Sequence, residues 1–261
     1  MSLADRVRTL RDVSRIVREP IRLGVRQTRG ANAVSRYTLR GSGISIHLRD
    51  DVTEDVATLV QTFSQRHYMP PPAIRARLAE LGRPPRAMDL GANIGMFGAW
   101  FLSQYPGAKV TAYEADPDNA RVHGLTVEAN RGTHRWQLYA AAAASEDGEV
   151  AFVGGRATNS RLAEPGEDST TVPAHDVLGR AADVDLFKVD IEGGEWALLS
   201  DERFITLPAC VVALEFHAYR CPSSNPHRAA RELLSAAGYH VLEHDLAAPP
   251  GHGMVWGWRT A

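Results

Sequence analysis

Three groups of side chains in this 261-residue chain have the types and spacing to do chemistry. The first is Asp89-Leu90-Gly91-Ala92-Asn93-Ile94-Gly95, between an apolar run (Ala87, Met88, Leu90) and the helix-like run Met96 to Leu102. A strand that ends on an acid, turns through glycines and opens a helix is expected to leave bare backbone N–H groups and a carboxylate where a nucleotide-like ligand can approach closely. The second is Glu114-Ala115-Asp116-Pro117, which follows the apolar run Val110 to Tyr113. An acid at the end of a second strand accepts hydrogen bonds from ribose hydroxyls. The third joins two strands: Lys188, Asp190 and Glu192 share one face by the two-residue period, and Glu215 and His217 share a face further on. Central strands of a parallel sheet are normally apolar, so these charges require mutual pairing or a polar cleft. An ion-pair network that merely supports the sheet is the plainer alternative.

The glycine turn departs from the dinucleotide fingerprint G-x-G-x-x-G, because Asn93 stands where the second glycine lets a pyrophosphate approach. The first loop of an S-adenosylmethionine-dependent methyltransferase fits better, since that cofactor carries no phosphate and its sulfonium tolerates a nearby acid. Two rivals stay open. One is an NAD-dependent oxidoreductase using Glu114; the other is a catalytically silent cofactor-binding or partner module docking through residues 1–40. If the reaction is methyl transfer to a hydroxyl, the acceptor must be brought to near-attack distance and lose a proton. His217 is the first candidate base, because an imidazole titrates near neutrality. Asp190 is the second, as base or orienter, and Lys188 completes the group by neutralising Asp190 or Glu215.

Composition narrows the setting. No apolar stretch approaches the length of a membrane span and no charged-then-apolar leader follows Met1, so a cytoplasmic protein without an integral membrane segment is expected. Cys210 and Cys221 have neither metal-ligand nor disulfide spacing, and no metal site is expected. The net charge of −2 hides an asymmetry, with residues 1–40 at +7 and the remainder at −9. Nucleic acid is therefore not expected as substrate. Leu3, Val7, Leu10, Val17 and Ile21 recur at helical spacing among arginines, predicting one amphipathic helix to about Pro20. Such a helix packs on its own domain, meets a second copy in a homodimer, or lies on an anionic surface.

The remaining pattern reads as a hairpin (Tyr37 to Arg40, Ile44 to Arg49), a helix (51–65), the Pro70-Pro71-Pro72 break and a helix (74–81). His67 and Tyr68, just before the break, are placed to overhang a pocket. From Arg86 onward strands (87–90, 108–113, 135–141, 184–191, 210–216) alternate with helices (95–104, 117–129, 193–199, 227–237), as in a parallel sheet. A short strand (149–153), a polar loop (154–170, including Asn159 and Ser160) and a helix near 175–181 intervene. A hairpin around Pro249-Pro250-Gly251 closes the chain. The expected division is an N-terminal appendage (1–70) and a cofactor-binding domain (71–261).

From about Tyr68 to His217 the chain resembles the FkbM-type methyltransferase family. The resemblance is carried by Met88 to Gly95, Tyr113-Glu114-Ala115-Asp116-Pro117, the Ala140 to Ala144 run leading to Asp147-Gly148-Glu149, Phe187 to Glu195, and Glu215-Phe216-His217. It implies a Rossmann-like class I methyltransferase fold, with a seven-stranded, mostly parallel sheet and an antiparallel C-terminal hairpin at its edge. It also implies S-adenosylmethionine as cofactor and a hydroxyl of a sugar, polyketide or similar small molecule as acceptor. By position, Asp89, Gly91 and Asn93 would border the methionine portion, Glu114 the ribose, and Asp116 and Ala142 the adenine. Ala92, Gly95, Ala115, Asn119 and Asp190 complete the implied cofactor set. Ala115 replaces a common proline, and Ala174-His175-Asp176 replaces a threonine-rich approach to a leucine-aspartate pair.

Overall fold

Pro20 starts a helix instead of ending one. In the computed structural model, which describes residues 3–30, 32–131, 134–155, 160–243 and 251–260, α1 (Leu3–Ile16) stops short of it and Val17 bridges to Leu39. Pro20 then opens α2 (Pro20–Arg29), where its fixed φ and missing N–H suit a first turn. The restart changes the helical phase: Val13, Ile16, Val17 and Leu23 are buried, whereas Ile21 is 80% exposed. The arginine-rich arm thus packs on the body of the protein. The side chains of Leu3 and Val7, residues 156–159 with Asn159, and Pro249-Pro250 lie outside the described residues.

The hairpin follows as β1 (Val34–Thr38) and β2 (Ser45–Arg49), then α3 (Thr53–Phe63) and α4 (Pro72–Ala79). The alternating section begins with β3 (Arg86–Leu90), α5 (Met96–Gln104), β4 (Lys109–Tyr113), α6 (Pro117–Ala129) and β5 (Trp136–Tyr139). Four shorter strands come next, β6 (Ala142–Ala144), β7 (Gly148–Val153), β8 (Arg161–Leu162) and β9 (Thr170–Asp176). The chain finishes with β10 (Leu186–Val189), α7 (Glu195–Ser200), β11 (Val211–His217), α8 (Pro226–Ala236), β12 (His240–Glu243) and β13 (His252–Trp258).

Seven strands form the main sheet in the order β12-β13-β11-β10-β3-β4-β5, with β13 antiparallel to both neighbours. This is the class I methyltransferase arrangement, and its switch point lies between β3 and β10. Successive strands run outward from β3 on one side, and β10 returns to its other side, so the crevice opens at the carboxyl ends of this pair.

The helix expected near 175–181 is replaced by β9, which runs to Asp176 and ends in a turn where Gly179 N–H donates to Asp176 Oδ1. Val172 and Ala174 point inward and Thr171 and Pro173 outward, a strand period set by β-branched residues. With β6, β7 and β8 it forms a second, four-stranded sheet in the order β6-β9-β7-β8, which the sequence pattern left as one short strand. The hairpin is tied to α6 by side chains: the Asn130 amide both donates to and accepts from the Ser45 backbone, and Thr126 Oγ1 accepts from His47 N–H. They take ladder positions on β2 that would otherwise invite another strand.

His123 on α6 is fully buried below the β3–α5 turn, edge-on to Trp136 with ring centroids 5.3 Å apart. Burial disfavours the imidazolium and pushes its pKa down to about 3. Its unfolded value lies near 6.5, so below that pH the unfolded chain binds a proton that the folded chain refuses, and stability falls on acidification. Between pH 7 and pH 5 the wild type should lose about 2 kcal/mol more than His123→Gln, measured by denaturant unfolding at both pH values. Equal losses in the two proteins would show that this ring is not held neutral.

Candidate cofactor and active site

The β3–α5 turn passes so close to the end of β10 that only a glycine fits at position 91. A Cβ there would lie 1.7 Å from the carbonyl oxygen of Asp190, and φ is +73°. Asn93 also has positive φ, 49°, and its own Oδ1 accepts from Ile94 N–H at 2.7 Å, the local side-chain bond that lets asparagine hold this conformation. Gly91 and Ala92 N–H both donate to Tyr113 O, Asn93 N–H donates to Glu114 Oε2 at 2.6 Å, and Gly95 N–H donates to Ala92 O. The backbone N–H groups expected to be bare are therefore all engaged within the protein.

Glu114 is buried at the end of β4, with its second oxygen accepting from Asp116 N–H at 2.8 Å. Burial raises its pKa to about 7 despite these bonds. A cavity of about 330 Å³ opens above it, in the size range of small-molecule sites. Gly91, Ala92, Asn93, Glu114, Ala115 and Asn119 line it on one side. Ala142, Phe152 and Leu162 form an apolar slot beside Ala115, and Lys188, Asp190, Glu192, Glu215 and His217 stand at the other end.

Asp89, Gly95 and Asp116 lie behind the wall. Asp89 is fully buried against Lys188, with Oδ1 3.1 Å from Nζ. Gly95 gives room to His123, whose ring would lie 2.6 Å from an added Cβ. Asp116 caps α6 through Asp118 N–H and accepts from Gly155 N–H and Ser160 Oγ, so it pins both sides of the polar loop. These three positions, read from the sequence as cofactor neighbours, support the residues that reach the cavity.

Lys188 Nζ also donates to Gly91 O at 2.9 Å and lies 3.4 Å from Asp190 Oδ2, below the rings of Tyr68 and Phe97. Burial opposes its charge, but Asp89 and Asp190 outweigh burial and hold its pKa above the usual lysine value. Burial and the facing Glu215 raise Asp190, and burial raises Glu192 to about 7. Tyr68 donates to Asp190 Oδ2, and its phenol is raised well above its ordinary value by burial and these carboxylates.

His217 stands between two acids, with Nδ1 3.2 Å from Glu195 and Nε2 3.5 Å from Glu192. Burial opposes its charge, but the Glu195 contact and Asp190 prevail and raise its pKa to about 9. Its surroundings thus favour the imidazolium, the form that cannot accept a proton. Glu215 is held below the usual carboxylate range: burial would raise it, but His252 and His67, each 3.0 Å from one of its oxygens, overcome that.

The sequence reading did not single out His252 or Glu195. Antiparallel register places His252 opposite His217. Glu195 Oε1 accepts from the backbone N–H of His217 at 2.8 Å, and Oε2 accepts from Gly193 N–H. The histidine beside the terminal turn was a visible signal for the first, but its strand partner was not. From α3, Thr58, Gln61 and Thr62 complete the wall with Tyr68.

The family model of the methyltransferase FkbM domain matches residues 89–241, more than half of the chain. The chain belongs to the FkbM methyltransferase family. Among solved structures, this FkbM-family chain is similar to methyltransferase FkbM from Methylobacillus flagellatus KT, with 16% identity over 67% of this chain and 44% of that one, and a TM-score of 0.48. It is also similar to precorrin-6y C5,15-methyltransferase from Geobacter metallireducens GS-15 (13% identity, 71% and 87% covered, TM-score 0.41). Aeropyrum pernix fibrillarin, a structure with natively bound S-adenosyl-L-methionine, matches at 12% identity, with 67% and 66% covered and a TM-score of 0.41. The chain spans less than half the length of the Methylobacillus protein. No curated protein matches it significantly by sequence. Among the described residues no helix is long and apolar enough to cross a membrane.

The Gly91 crossing admits a direct check. Gly91→Ala should force β3 and β10 apart, lowering the melting temperature and abolishing ligand binding in the cavity, whereas Gly148→Ala, with open space around it, should melt within a few degrees of wild type. A Gly91→Ala protein that melts like wild type would mean that the crossing is not so tight.

Proposed function

We propose that this protein is an S-adenosylmethionine-dependent O-methyltransferase acting on a hydroxyl of a small molecule such as a sugar or polyketide. One observation carries the reading: the turn beside the cavity has all its amides from Gly91 to Gly95 engaged internally, while Asp190 and Glu192 face the cavity. Such a wall offers nothing to a pyrophosphate and suits a ligand with positive charge. It speaks against an NAD-dependent oxidoreductase. The residues fit the cofactor: carboxylates stand where a sulfonium and an ammonium would be welcome, Glu114 keeps lone pairs for ribose hydroxyls, and Ala115, Ala142, Phe152 and Leu162 offer an apolar slot for a flat base.

When bound, S-adenosylmethionine supplies a methyl group activated by its sulfonium. The chain's own residues position the acceptor and manage its proton. Asp190, held by Lys188 and Tyr68, is the carboxylate placed to orient the hydroxyl and take its proton. That role passes to it from His217, whose neighbours keep it charged in this structure. Lys188 is a positioning residue, since its ammonium is spent on Asp89, Asp190 and two carbonyls. We read residues 1–70 as an extension of the cofactor-binding domain (71–261) that walls the acceptor side through α3 and Tyr68.

Titration calorimetry should show S-adenosylmethionine binding and no heat with NAD. Glu114→Ala should weaken the cofactor by about 1.5–3 kcal/mol, the cost of hydrogen bonds to a charged group. Unchanged affinity in a folded variant would remove Glu114 from the site. With a panel of sugar and polyketide alcohols, Asp190→Asn should slow turnover by about 10²- to 10⁴-fold, and turnover at the wild-type rate would leave catalysis to proximity alone.

A further inference from the structure

We propose that Glu215, His217 and His252 bind a divalent transition-metal cation at the acceptor end of the cavity, beside a second group formed by Asp190 and Glu192 with the same His217. The β11–β13 ladder sets His217 opposite His252, with ring centroids 4.9 Å apart, and Glu215 precedes His217 on the same strand face. One donor atom from each of the three lies within 4.8 Å of the others. Donors on one ion with bonds of about 2.0–2.2 Å stand at most about 4.4 Å apart, so the three are close enough to share an ion after a small closure of their side chains. Asp190, Glu192 and His217 also bring one donor atom each within 4.8 Å of one another, so His217 belongs to both sets.

A second observation comes from the far side of the imidazole. Glu195, fully buried, grips Nδ1 of His217 and also its backbone N–H, which leaves Nε2 directed to the other acids. A carboxylate on the distal nitrogen is the usual means of fixing the ring of a metal-ligating histidine. His67, 3.0 Å from Glu215 Oε2, stands in a comparable supporting place toward the carboxylate ligand.

The mixture of imidazole and carboxylate suits Mn²⁺, Fe²⁺, Co²⁺ or Zn²⁺ better than Mg²⁺ or Ca²⁺, which favour all-oxygen sets. Three protein donors leave a coordination position toward the cavity, where an acceptor hydroxyl oxygen would bind. That last use rests on the methyl-transfer reading; the ligand set does not.

The test uses the full chain, freed of metal by chelation and dialysis, and titrated with Zn²⁺ by calorimetry and with Co²⁺ by visible absorption, without cofactor or acceptor. One equivalent per chain is expected, with Co²⁺ d–d bands of a low-coordinate site. His252→Ala and Glu215→Gln should each weaken uptake by at least about tenfold. His227→Ala removes a histidine that pairs with Glu243 on the surface and should leave uptake unchanged. The proposal is overturned if the wild type takes up no equivalent, or if His252→Ala binds as the wild type does. His252 is partly exposed, so that variant should fold even if Glu215→Gln does not. Cofactor calorimetry is read separately, so a failure here and a failure of the methyltransferase reading are distinguishable.

Discussion

A buried ammonium joins the two strand ends between which the crevice opens. Lys188, 3% exposed, reaches from β10 across to β3, where it meets Asp89 and the carbonyls of Leu90 and Gly91, and it turns back to Asp190. An uncompensated charge at this depth would cost several kcal/mol, so each partner needs the others. The group is compact and point-like, which suits a junction with several acceptors on different sides better than the flat fork of arginine would. The Gly91 crossing, the orientation of Asp190 and the seat of Tyr68 all depend on this junction.

Around it acids and bases are nearly matched in number. Asp89, Asp190, Glu192, Glu195 and Glu215 face Lys188 and three histidines in a partly enclosed volume, and burial, ahead of any neighbour, raises the pKa values of Asp190 and Glu192. In low dielectric a carboxylate raised in this way is favoured in its charged form when a cation comes beside it. On the two proposals made above, a sulfonium and a dication would both be met by Asp190 and Glu192, and the internally satisfied turn makes no competing offer to anions.

Much of this was legible in the residues. The strand-turn-helix at Asp89 to Gly95, the acid at Glu114 and the alternating faces of Lys188-Asp190-Glu192 and Glu215-His217 are local patterns, and local periodicity reports them well. What was not legible depends on distance. Whether a turn N–H is bare depends on Tyr113 and Glu114 across the sheet, and whether Asp89 and Asp116 reach a cavity or brace its wall depends on which neighbour claims them first. The protonation of His217 depends on Glu192 and Glu195, whose side chains converge on the ring only once α7 is placed against β11. Pro20 misled because proline both ends and begins helices, and Thr170 to Asp176 misled because Pro173 in the middle of the run argues against a strand.

The stretch matched by the family model runs from residue 89 to residue 241, and His67, Tyr68 and His252 all lie outside it. The lining of the cavity is thus written in more than one part of the chain. Glu114, Asn93 and the Gly91 crossing belong to the shared core, whereas α3, Tyr68 and the strand carrying His252 are supplied by the flanks. On the proposed reading, the flanks can vary the wall around Asp190 while the core that would hold the methyl donor stays as it is. A fragment cut to the family match would lose β13, which lies between β12 and β11, and with it the continuity of the sheet that carries the cavity.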